Sequence, residues 1–214
     1  MSGAALRDVL LATRSSGKIR ELIPMLAGAG LRGVTLDAAG ARHAPEEAGI
    51  ECFDTFEENA MAKARWFSAR AGGRIVLADD SGLAVDALAG APGVRSKRWA
   101  AESGAEGPAA DGAALDAANN LKLLRELSHA MDRRARYVCV VAIVWSGGEL
   151  SARGECVGRI LRAPSGDGGF GYDPYFSSEE LGESFGRATI EAKARVSHRG
   201  RAVRAALAQF VARK

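Results

Sequence analysis

Two spacings of apolar residues alternate along the chain: short continuous runs, and longer segments in which apolar residues recur every three to four positions. Asp8 to Ala12 is a continuous run of the kind that forms a buried strand. The segment after it places four apolar side chains on one face of a helix: Ile19, Leu22, Ile23 and Leu26. This opening predicts a strand followed by a helix, which is typical of α/β folds.

A second helix carries its own start signal. Thr55 and Glu58 have the form of a capping box, in which each side chain bonds the backbone of the other, and they predict a helix from there to about Ala71. Four apolar residues mark its buried side: Phe56, Ala60, Ala64 and Phe67.

The stretch from Ile75 to Ala78 is β-branched and aliphatic, and it predicts a buried strand. Two adjacent carboxylates, Asp79 and Asp80, follow it, and after them comes a Ser-Gly pair that is typical of a turn. We therefore expect the strand to end at Ala78, so that Asp79 and Asp80 lie at an edge of an α/β sheet where ligands commonly bind.

The C-terminal half predicts a helix from Asp116 to Leu127, a hairpin, a loop and a last helix. The core side of the first helix carries Leu121, Leu124 and Leu127. The hairpin joins residues 136–145 to residues 150–160, and residues 164–176 form a glycine-rich loop. Apolar residues on one face mark the last helix: Val203, Ala206, Leu207 and Phe210.

Composition describes an ordinary globular protein and argues against several functional classes. The 214 residues, 47% of them hydrophobic and 26% charged, predict one domain over residues 1–214, built on one core or on two lobes that share a cleft. A net charge of +3 does not indicate nucleic-acid binding, and no stretch reaches the roughly 20 apolar residues of a membrane span. Three scattered cysteines argue against a disulfide framework or a structural zinc site, and the first apolar run is too short for a signal peptide. We expect a cytoplasmic protein.

The turn between the first strand and the first helix is a candidate phosphate site. It reads Thr13, Arg14, Ser15, Ser16, Gly17 and Lys18. Hydroxyls and a glycine at a helix N-terminus leave backbone N–H groups to bind an anion. The helix dipole disfavours cations at this end, so Arg14 and Lys18 together indicate a phosphate between them. The alternative is that Lys18 points to solvent; a Walker A loop is excluded because Ile19 follows Lys18 and the earlier glycine is missing.

Asp79 and Asp80 are candidates for metal binding or proton transfer. Adjacent carboxylates at the end of a buried strand repel each other and lose hydration, so they need a cation or donors nearby. The alternative is a turn in which one of them caps the next segment. Asn59 and Lys63 lie four residues apart on one helix face, where they can address a common ligand unless that face is solvated.

Two C-terminal stretches carry groups that suit a nucleotide base. The first reads Phe170, Gly171, Tyr172 and Asp173. It combines an aromatic face, close backbone approach and a carboxylate, which together can hold a planar heterocycle, although Phe170 as ordinary core is the alternative. The second stretch offers donors for an acceptor-rich base or phosphate: Lys193, His198 and Arg199.

Five motifs in this order resemble the inosine triphosphate pyrophosphatase family, also known as Ham1-like or RdgB-like proteins. They are TRSSGK at 13–18, TFEENA at 55–60, ADDSGL at 78–83, FGYD at 170–173 and SHRG at 197–200. The likeness covers nearly the whole chain. It implies an elongated α/β fold of two lobes, with a mixed sheet and helices around a central active-site cleft, a homodimer and dependence on Mg²⁺. It implies hydrolysis of XTP, ITP and dITP to the monophosphate and pyrophosphate, which removes damaged purines from the nucleotide pool.

The resemblance also implies roles for individual residues. Lys18 matches the main cation of the phosphate-binding loop, Asp80 the proton acceptor and metal ligand, and Ser81 a substrate contact. Glu51 matches a second metal carboxylate, with Glu47 as the alternative because the segment before Thr55 departs from the family pattern. The residues implied to select a 6-oxo purine are Phe170, Gly171, Tyr172, Asp173, Lys193, His198 and Arg199.

The implied reaction needs a cation site and a base. Glu51 and Asp80 suit Mg²⁺, which prefers one or two carboxylates together with waters and substrate phosphates. Lys18 and Lys63 would neutralise charge on the departing pyrophosphate, and either Asp79 or Asp80 would activate the attacking water.

The implied choice of base follows from hydrogen-bond polarity. A 6-oxo group accepts hydrogen bonds where the adenine amino group donates, so donors from His198 and Arg199 favour hypoxanthine and xanthine.

Two alternatives remain open at this point. A Maf-type pyrophosphatase would share the architecture but act on pyrimidine nucleotides. A non-catalytic nucleotide-binding protein is the other alternative, because Ser15 stands where the family usually has asparagine.

Overall fold

The computed structural model describes residues 7–103 and 112–213. It contains a six-stranded sheet with the strand order β2-β1-β3-β4-β5-β6. The strands are β1 (Arg7–Leu11), β2 (Leu31–Thr35), β3 (Ile75–Val85), β4 (Arg134–Trp145), β5 (Gly148–Ile160) and β6 (Phe176–Ser178). β1 pairs in parallel with both β2 and β3, whereas β5 and β6 are antiparallel. The sheet is therefore mixed, and the predicted α/β class is confirmed.

The α-helices in these ranges are α1 (Ser16–Gly28), α2 (Phe56–Arg70), α3 (Gly112–Glu126), α4 (Ile190–Val196) and α5 (His198–Ala212). The predicted start of α2 is confirmed, since Thr55 Oγ1 accepts a hydrogen bond from the Glu58 backbone N at 3.2 Å and donates to Glu58 Oε2 at 2.7 Å. The four apolar residues predicted for the inner side of α2 are all buried. None of the helices described is both long enough and apolar enough to span a membrane.

The chain divides into two compact units. Unit 1 contains the chain up to Asp80, Cys139–Gly154 and the chain from Arg199, and unit 2 contains Ser81–Val138 and Glu155–His198. In unit 1, apolar residues of α1 and α5 pack with those of the strands, among them Leu22, Leu26, Leu11, Leu77, Ala206 and Phe210. In unit 2, the core joins α3 to the strands and to the loop after β5, with Leu123, Leu127, Leu83, Tyr137, Phe176 and Phe185 among its members.

The strand predicted to end at Ala78 continues to Val85, so the turn predicted at Ser81 and Gly82 is wrong. Asp79 is only 1% exposed and Asp80 only 7%. Gly82 is required for close approach rather than for a turn, because a side chain there would collide with the Gly93 carbonyl. The acidic pair therefore lies within the sheet, where buried charge has to be compensated by the protein itself.

The helical register of α3 differs from the prediction. Leu123 and Leu127 are buried in the core of unit 2, whereas Leu121 is 68% exposed, so its predicted core position is wrong. Leucines at 121, 124 and 127 fit the helical period, but so do buried positions at 123 and 127. The hairpin and the last helix are confirmed: β4 and β5 are neighbours joined by two residues, and α5 buries its predicted apolar face.

Candidate active site

The start of α1 brings part of the predicted phosphate loop to β3. Ser15 is the N-cap residue, since its Oγ accepts a hydrogen bond from the Lys18 backbone N at 3.4 Å. Thr13 Oγ1 accepts from the Ser15 backbone N at 3.2 Å. Lys18 Nζ lies 3.1 Å from Asp79 Oδ2 and donates to the Asp79 carbonyl at 3.4 Å. The first turn of the helix contains Ser16, Gly17 and Lys18.

Arg14 is bonded to a different carboxylate from Lys18. Its Nε and Nη2 each donate to Glu47 at 2.8 Å, and this hydrogen bonding holds the pKa of Glu47 below its ordinary value. Each of the two cations is thus paired with its own carboxylate, Arg14 with Glu47 and Lys18 with Asp79, and the phosphate predicted between them stays a prediction. The same contacts engage Glu47, which was the alternative metal ligand.

Asp79 is at the centre of a buried ion-pair network in unit 1. Its Oδ2 accepts from Lys18 and, at 3.1 Å, from Arg199 Nε, while its carbonyl accepts from Lys63 Nζ at 2.5 Å. Arg199 Nη1 in turn donates to Glu21 Oε2 at 2.5 Å. Burial alone would raise the pKa of Asp79, but the three cations outweigh burial and leave that pKa below its ordinary value. Asp79 is therefore ionised and held by protein cations.

Asp80 has the opposite environment. Its Oδ2 accepts from Asn59 Nδ2 at 3.0 Å, and Asn59 is itself fixed by the backbone of Phe53, whose N donates to its Oδ1 at 2.9 Å. Burial, reinforced by the negative charge of Glu51, raises the pKa of Asp80 in spite of the nearby lysines. A carboxylate with a raised pKa is better matched to accept a proton than Asp79 is.

The carboxylates around Asp80 are of the chemical type that a divalent cation prefers. Asp79 Oδ1 is buried and has no hydrogen-bond partner within residues 7–103 and 112–213. Four carboxylates, those of Glu21, Glu51, Asp79 and Asp80, stand against three cations, those of Lys18, Lys63 and Arg199. No group of three or more His, Cys, Asp or Glu side chains in the described chain forms a metal site by itself. Mg²⁺ does not need three protein ligands, because it binds one or two carboxylates and completes its coordination shell with waters and phosphates.

In unit 2, Asp173 gathers several of the predicted base contacts. Its Oδ2 accepts from Lys193 Nζ at 2.6 Å and from the Phe170 backbone N at 2.8 Å, and Tyr137 OH donates to its Oδ1 at 3.4 Å. Both members of the Asp173–Lys193 pair are buried. Lys193 Nζ also lies 5.0 Å from the centroid of the Phe170 ring. The structure thus brings together a cation, an aromatic ring and the carboxylate that orients both.

The remaining members of the predicted base site differ in their exposure. His198 is buried and stacks on Tyr137, with the ring centroids 4.5 Å apart and the planes 7° from parallel. Tyr172 is a core residue whose hydroxyl donates to the Ser96 carbonyl at 2.9 Å, so Phe170 is the more accessible aromatic ring of the motif. Ser81 is half-buried in β3 directly after Asp80.

Arg199 has two strong contacts within unit 1. It belongs to unit 1, and its Nε and Nη1 donate to the buried carboxylates of Asp79 and Glu21. Two of its nitrogens therefore compensate buried charge, and the predicted contact of this side chain with a purine stays a prediction.

Four residues that bond members of the predicted site were not found by sequence reasoning: Glu21, Asp116, Asn120 and Tyr137. Glu21 bonds Arg199 and Tyr137 bonds Asp173. Asp116 and Asn120 both bond the backbone of Gly171. Glu21 and Tyr137 stand in mainly apolar stretches, where a polar residue gives no sign of its distant partner. Asp116 and Asn120 did leave a signal, because a spacing of four on a helix places two polar side chains on one face.

Comparison with known proteins gives consistent matches over nearly the whole chain. The sequence profile of the Ham1 family matches residues 9–209. The dITP/XTP pyrophosphatase of Syntrophobacter fumaroxidans is 45% identical over 196 residues, which cover 91% of this chain and 78% of that protein. The dITP/XTP pyrophosphatase of Thermus thermophilus is 43% identical over 205 residues, which cover 94% and 91% of the two chains.

Solved structures agree with these sequence matches. The Staphylococcus aureus Ham1 protein superposes with a TM-score of 0.76 at 31% identity, covering 97% of this chain and all of that one. A structure from Mycobacterium abscessus described as a nucleoside-triphosphatase and dITP/XTP pyrophosphatase has a TM-score of 0.64 at 39% identity, covering 92% of this chain and 97% of that one.

Proposed function

This chain belongs to the Ham1 family, and we propose that it is a pyrophosphatase that hydrolyses dITP, ITP and XTP to the nucleoside monophosphate and pyrophosphate. The observation that carries the proposal is the adjacent carboxylate pair, Asp79 and Asp80, buried beside Lys18 and Lys63, in which Asp79 is bonded by cations and Asp80 by the neutral amide of Asn59. One member of such a pair can hold the cations while the other accepts a proton. Removing these nucleotides would keep deaminated purines out of DNA and RNA.

Unit 1 supplies the groups for the triphosphate. The N-terminus of α1 offers backbone N–H groups to phosphate oxygens, and Lys18 adds a positive charge at the same point. Asp80 and Glu51 would hold Mg²⁺. When bound, the ion neutralises charge on the phosphate oxygens and orients them.

The proposed chemical step is in-line attack of water on the α-phosphorus. Asp80 accepts the proton that the water loses, the water oxygen bonds to the α-phosphorus, and the bond from that phosphorus to the bridging oxygen breaks with its electron pair leaving on pyrophosphate. Lys18 and Lys63 offset the charge on the leaving group. Asp79 fixes both lysines, through its Oδ2 and its carbonyl respectively. Cys139 is unsuited to attack phosphorus, because burial raises the pKa of its thiol.

Unit 2 supplies the groups for the base. The Phe170 ring offers a stacking face, and Lys193 and His198 offer donors to the 6-oxo group of hypoxanthine or xanthine. Adenine would oppose these buried donors with its own amino group, at a cost of about 1–3 kcal/mol for each unmet partner. Because Asp173 fixes Lys193, the site cannot easily rearrange to suit adenine.

The proposal is tested by measuring pyrophosphate release from dITP, XTP, ATP, dTTP and UTP with Mg²⁺. We expect dITP and XTP to be preferred over ATP by about 10-fold or more in kcat/KM, which corresponds to one unmet hydrogen bond. Preference for dTTP or UTP would instead identify a Maf-type pyrimidine enzyme. Tight dITP binding without pyrophosphate release would identify a non-catalytic nucleotide-binding protein.

Metal removal gives a second prediction, with a matched pair of variants. Chelation with EDTA is expected to abolish pyrophosphate release, and added Mg²⁺ to restore it. Glu51→Gln is expected to raise the Mg²⁺ concentration for half-maximal activity by about 10-fold, since it removes a ligand charge. Glu47→Gln is the control and should leave that concentration unchanged. Both glutamates are paired with a cation, Glu47 with Arg14 and Glu51 with Lys63, but Glu51 lies close enough to Asp80 for its charge to raise the pKa of Asp80. A shift with Glu47→Gln but not with Glu51→Gln would reverse the assignment.

We also propose that the protein works in the cytoplasm as a homodimer. Cys52, Cys139 and Cys156 are all free thiols, which suits a reducing compartment. The dimer rests on the family resemblance, and its direct measurement is the mass in solution by sedimentation equilibrium.

A further inference from the structure

Two side chains of α3 hold both backbone groups of one residue in the proposed base site. Asp116 Oδ2 accepts a hydrogen bond from the Gly171 backbone N at 2.8 Å, and Asn120 Nδ2 donates to the Gly171 carbonyl at 3.0 Å. Asp116 and Asn120 lie one helical turn apart, so side chains on one face of α3 bond both the N–H and the carbonyl of Gly171. Gly171 has φ of +61°, a conformation that glycine adopts more readily than other residues.

The contacts of Asn120 indicate more than packing. The residue is 9% exposed, and its Oδ1 is buried with no hydrogen-bond partner in the part of the chain that the structure describes. An apolar residue would avoid the cost of that unpaired acceptor. What the amide provides in return is the bond from its Nδ2 to the Gly171 carbonyl, so this position is suited to hold Gly171 rather than to fill the core.

The neighbours of Gly171 are anchored as well. Phe170, on one side, has its backbone N bonded to Asp173 at 2.8 Å, and Tyr172, on the other side, bonds the Ser96 carbonyl. The chain from Ser96 to Ala100 is bonded to α3 as well, because the backbone N of Ala100 donates a hydrogen bond to Asn119 Oδ1 at 2.8 Å. The loop that presents Phe170 is thus fastened to α3 directly and through a second segment.

We propose that Asp116 and Asn120 are positioning residues for base selection: they hold Gly171 so that the Phe170 ring and Lys193 keep their places. The inference rests on the proposed function for its catalytic consequence, but the clamp itself does not depend on that function. Since the groups proposed to bind the reacting phosphates are residues of unit 1, loss of the clamp should weaken recognition of the base and leave the chemical step largely intact.

The experiment compares Asp116→Ala, Asn120→Ala and Asp116→Asn with Glu126→Ala, an exposed control on the same helix. For each alanine variant of the clamp we expect KM for dITP to rise about 10-fold, the effect of one hydrogen bond, with kcat changed less than about threefold. The preference for dITP over dATP, measured as the ratio of their kcat/KM values, should fall in the same variants. Asp116→Asn retains an acceptor for the Gly171 N–H and should behave like the original protein, as should Glu126→Ala.

Amide hydrogen exchange at Gly171, measured without nucleotide, separates the clamp from the proposed function. Exchange should be faster in Asp116→Ala than in the original protein and unchanged in Glu126→Ala. If the original protein releases no pyrophosphate from dITP, the proposed function fails, and the exchange rates still decide whether the clamp exists. Unchanged exchange in Asp116→Ala would overturn the clamp. Faster exchange with unchanged KM and unchanged dITP preference would overturn its role in base selection, and so would an Asp116→Asn protein as impaired as Asp116→Ala.

Discussion

Asp80→Asn is expected to lower kcat for dITP by about 10²- to 10⁴-fold, the range by which general-base catalysis contributes. Asparagine has the same shape and can still accept the hydrogen bond from Asn59, but it cannot take a proton from water. Burial raises the pKa of Asp80, so the ionised side chain is unfavourable where it lies. The neutral amide removes that cost, and we expect the free energy of unfolding to stay the same or to rise.

The matched control is Asp86→Asn, a change of the same kind at a surface position paired with Arg136. It should leave both kcat and the unfolding midpoint in urea unchanged. The measurements are pyrophosphate release with saturating Mg²⁺ and urea unfolding followed by circular dichroism. An Asp80→Asn protein that is as active as the original would remove Asp80 from the role of base. A large loss of stability would show that its charge is needed for folding.

Local patterns sufficed for most elements of the fold. The capping box at Thr55 and Glu58 depends on residues within one turn, and the structure places the start of α2 where that pattern predicts it. The same holds for α5, whose apolar residues recur at the helical period. The register of α3 could not be predicted in this way, because leucines are available at both spacings and tertiary packing chooses Leu123 over Leu121.

The course of β3 shows why charged residues mislead sequence reasoning. Asp79 and Asp80 ended the apolar run, so they predicted the end of the strand. The strand nevertheless continues, because Lys18, Lys63 and Arg199 compensate the buried charge from positions far away in the chain. No local pattern contains that information, since each cation comes from a different helix.

The sequence predicted which residues belong to the candidate site better than it predicted the partner that each one bonds. Lys18, Asp79, Asp80 and Lys63 were chosen for their chemistry, and the structure brings them together. Arg14 fitted the same argument equally well, yet it is paired with a carboxylate elsewhere in unit 1. The helix dipole explains why a cation at this end needs an anionic partner, but it does not say which anion.

Arg199→Met is expected to destabilise the protein by about 3–5 kcal/mol, the usual cost of removing one partner from a buried ion pair. The guanidinium is buried and bonded to Asp79 and Glu21, and those two carboxylates raise the pKa of Arg199 although burial alone would lower it. Methionine fills a similar volume but leaves both carboxylates buried with one cation fewer. Since a domain is typically stable by about 5–15 kcal/mol, the loss should be evident in urea unfolding.

Two further variants distinguish loss of charge pairing from loss of packing. Arg204→Met, on the exposed side of α5, is the matched control and should change the free energy of unfolding by less than about 0.5 kcal/mol. Glu21→Gln combined with Arg199→Met removes one of the orphaned charges, so the double variant should be more stable than the sum of the two single changes predicts. Strict additivity would mean that Glu21 and Arg199 do not depend on each other. In that case Glu21 would not belong to the ion-pair network that keeps Asp79 ionised.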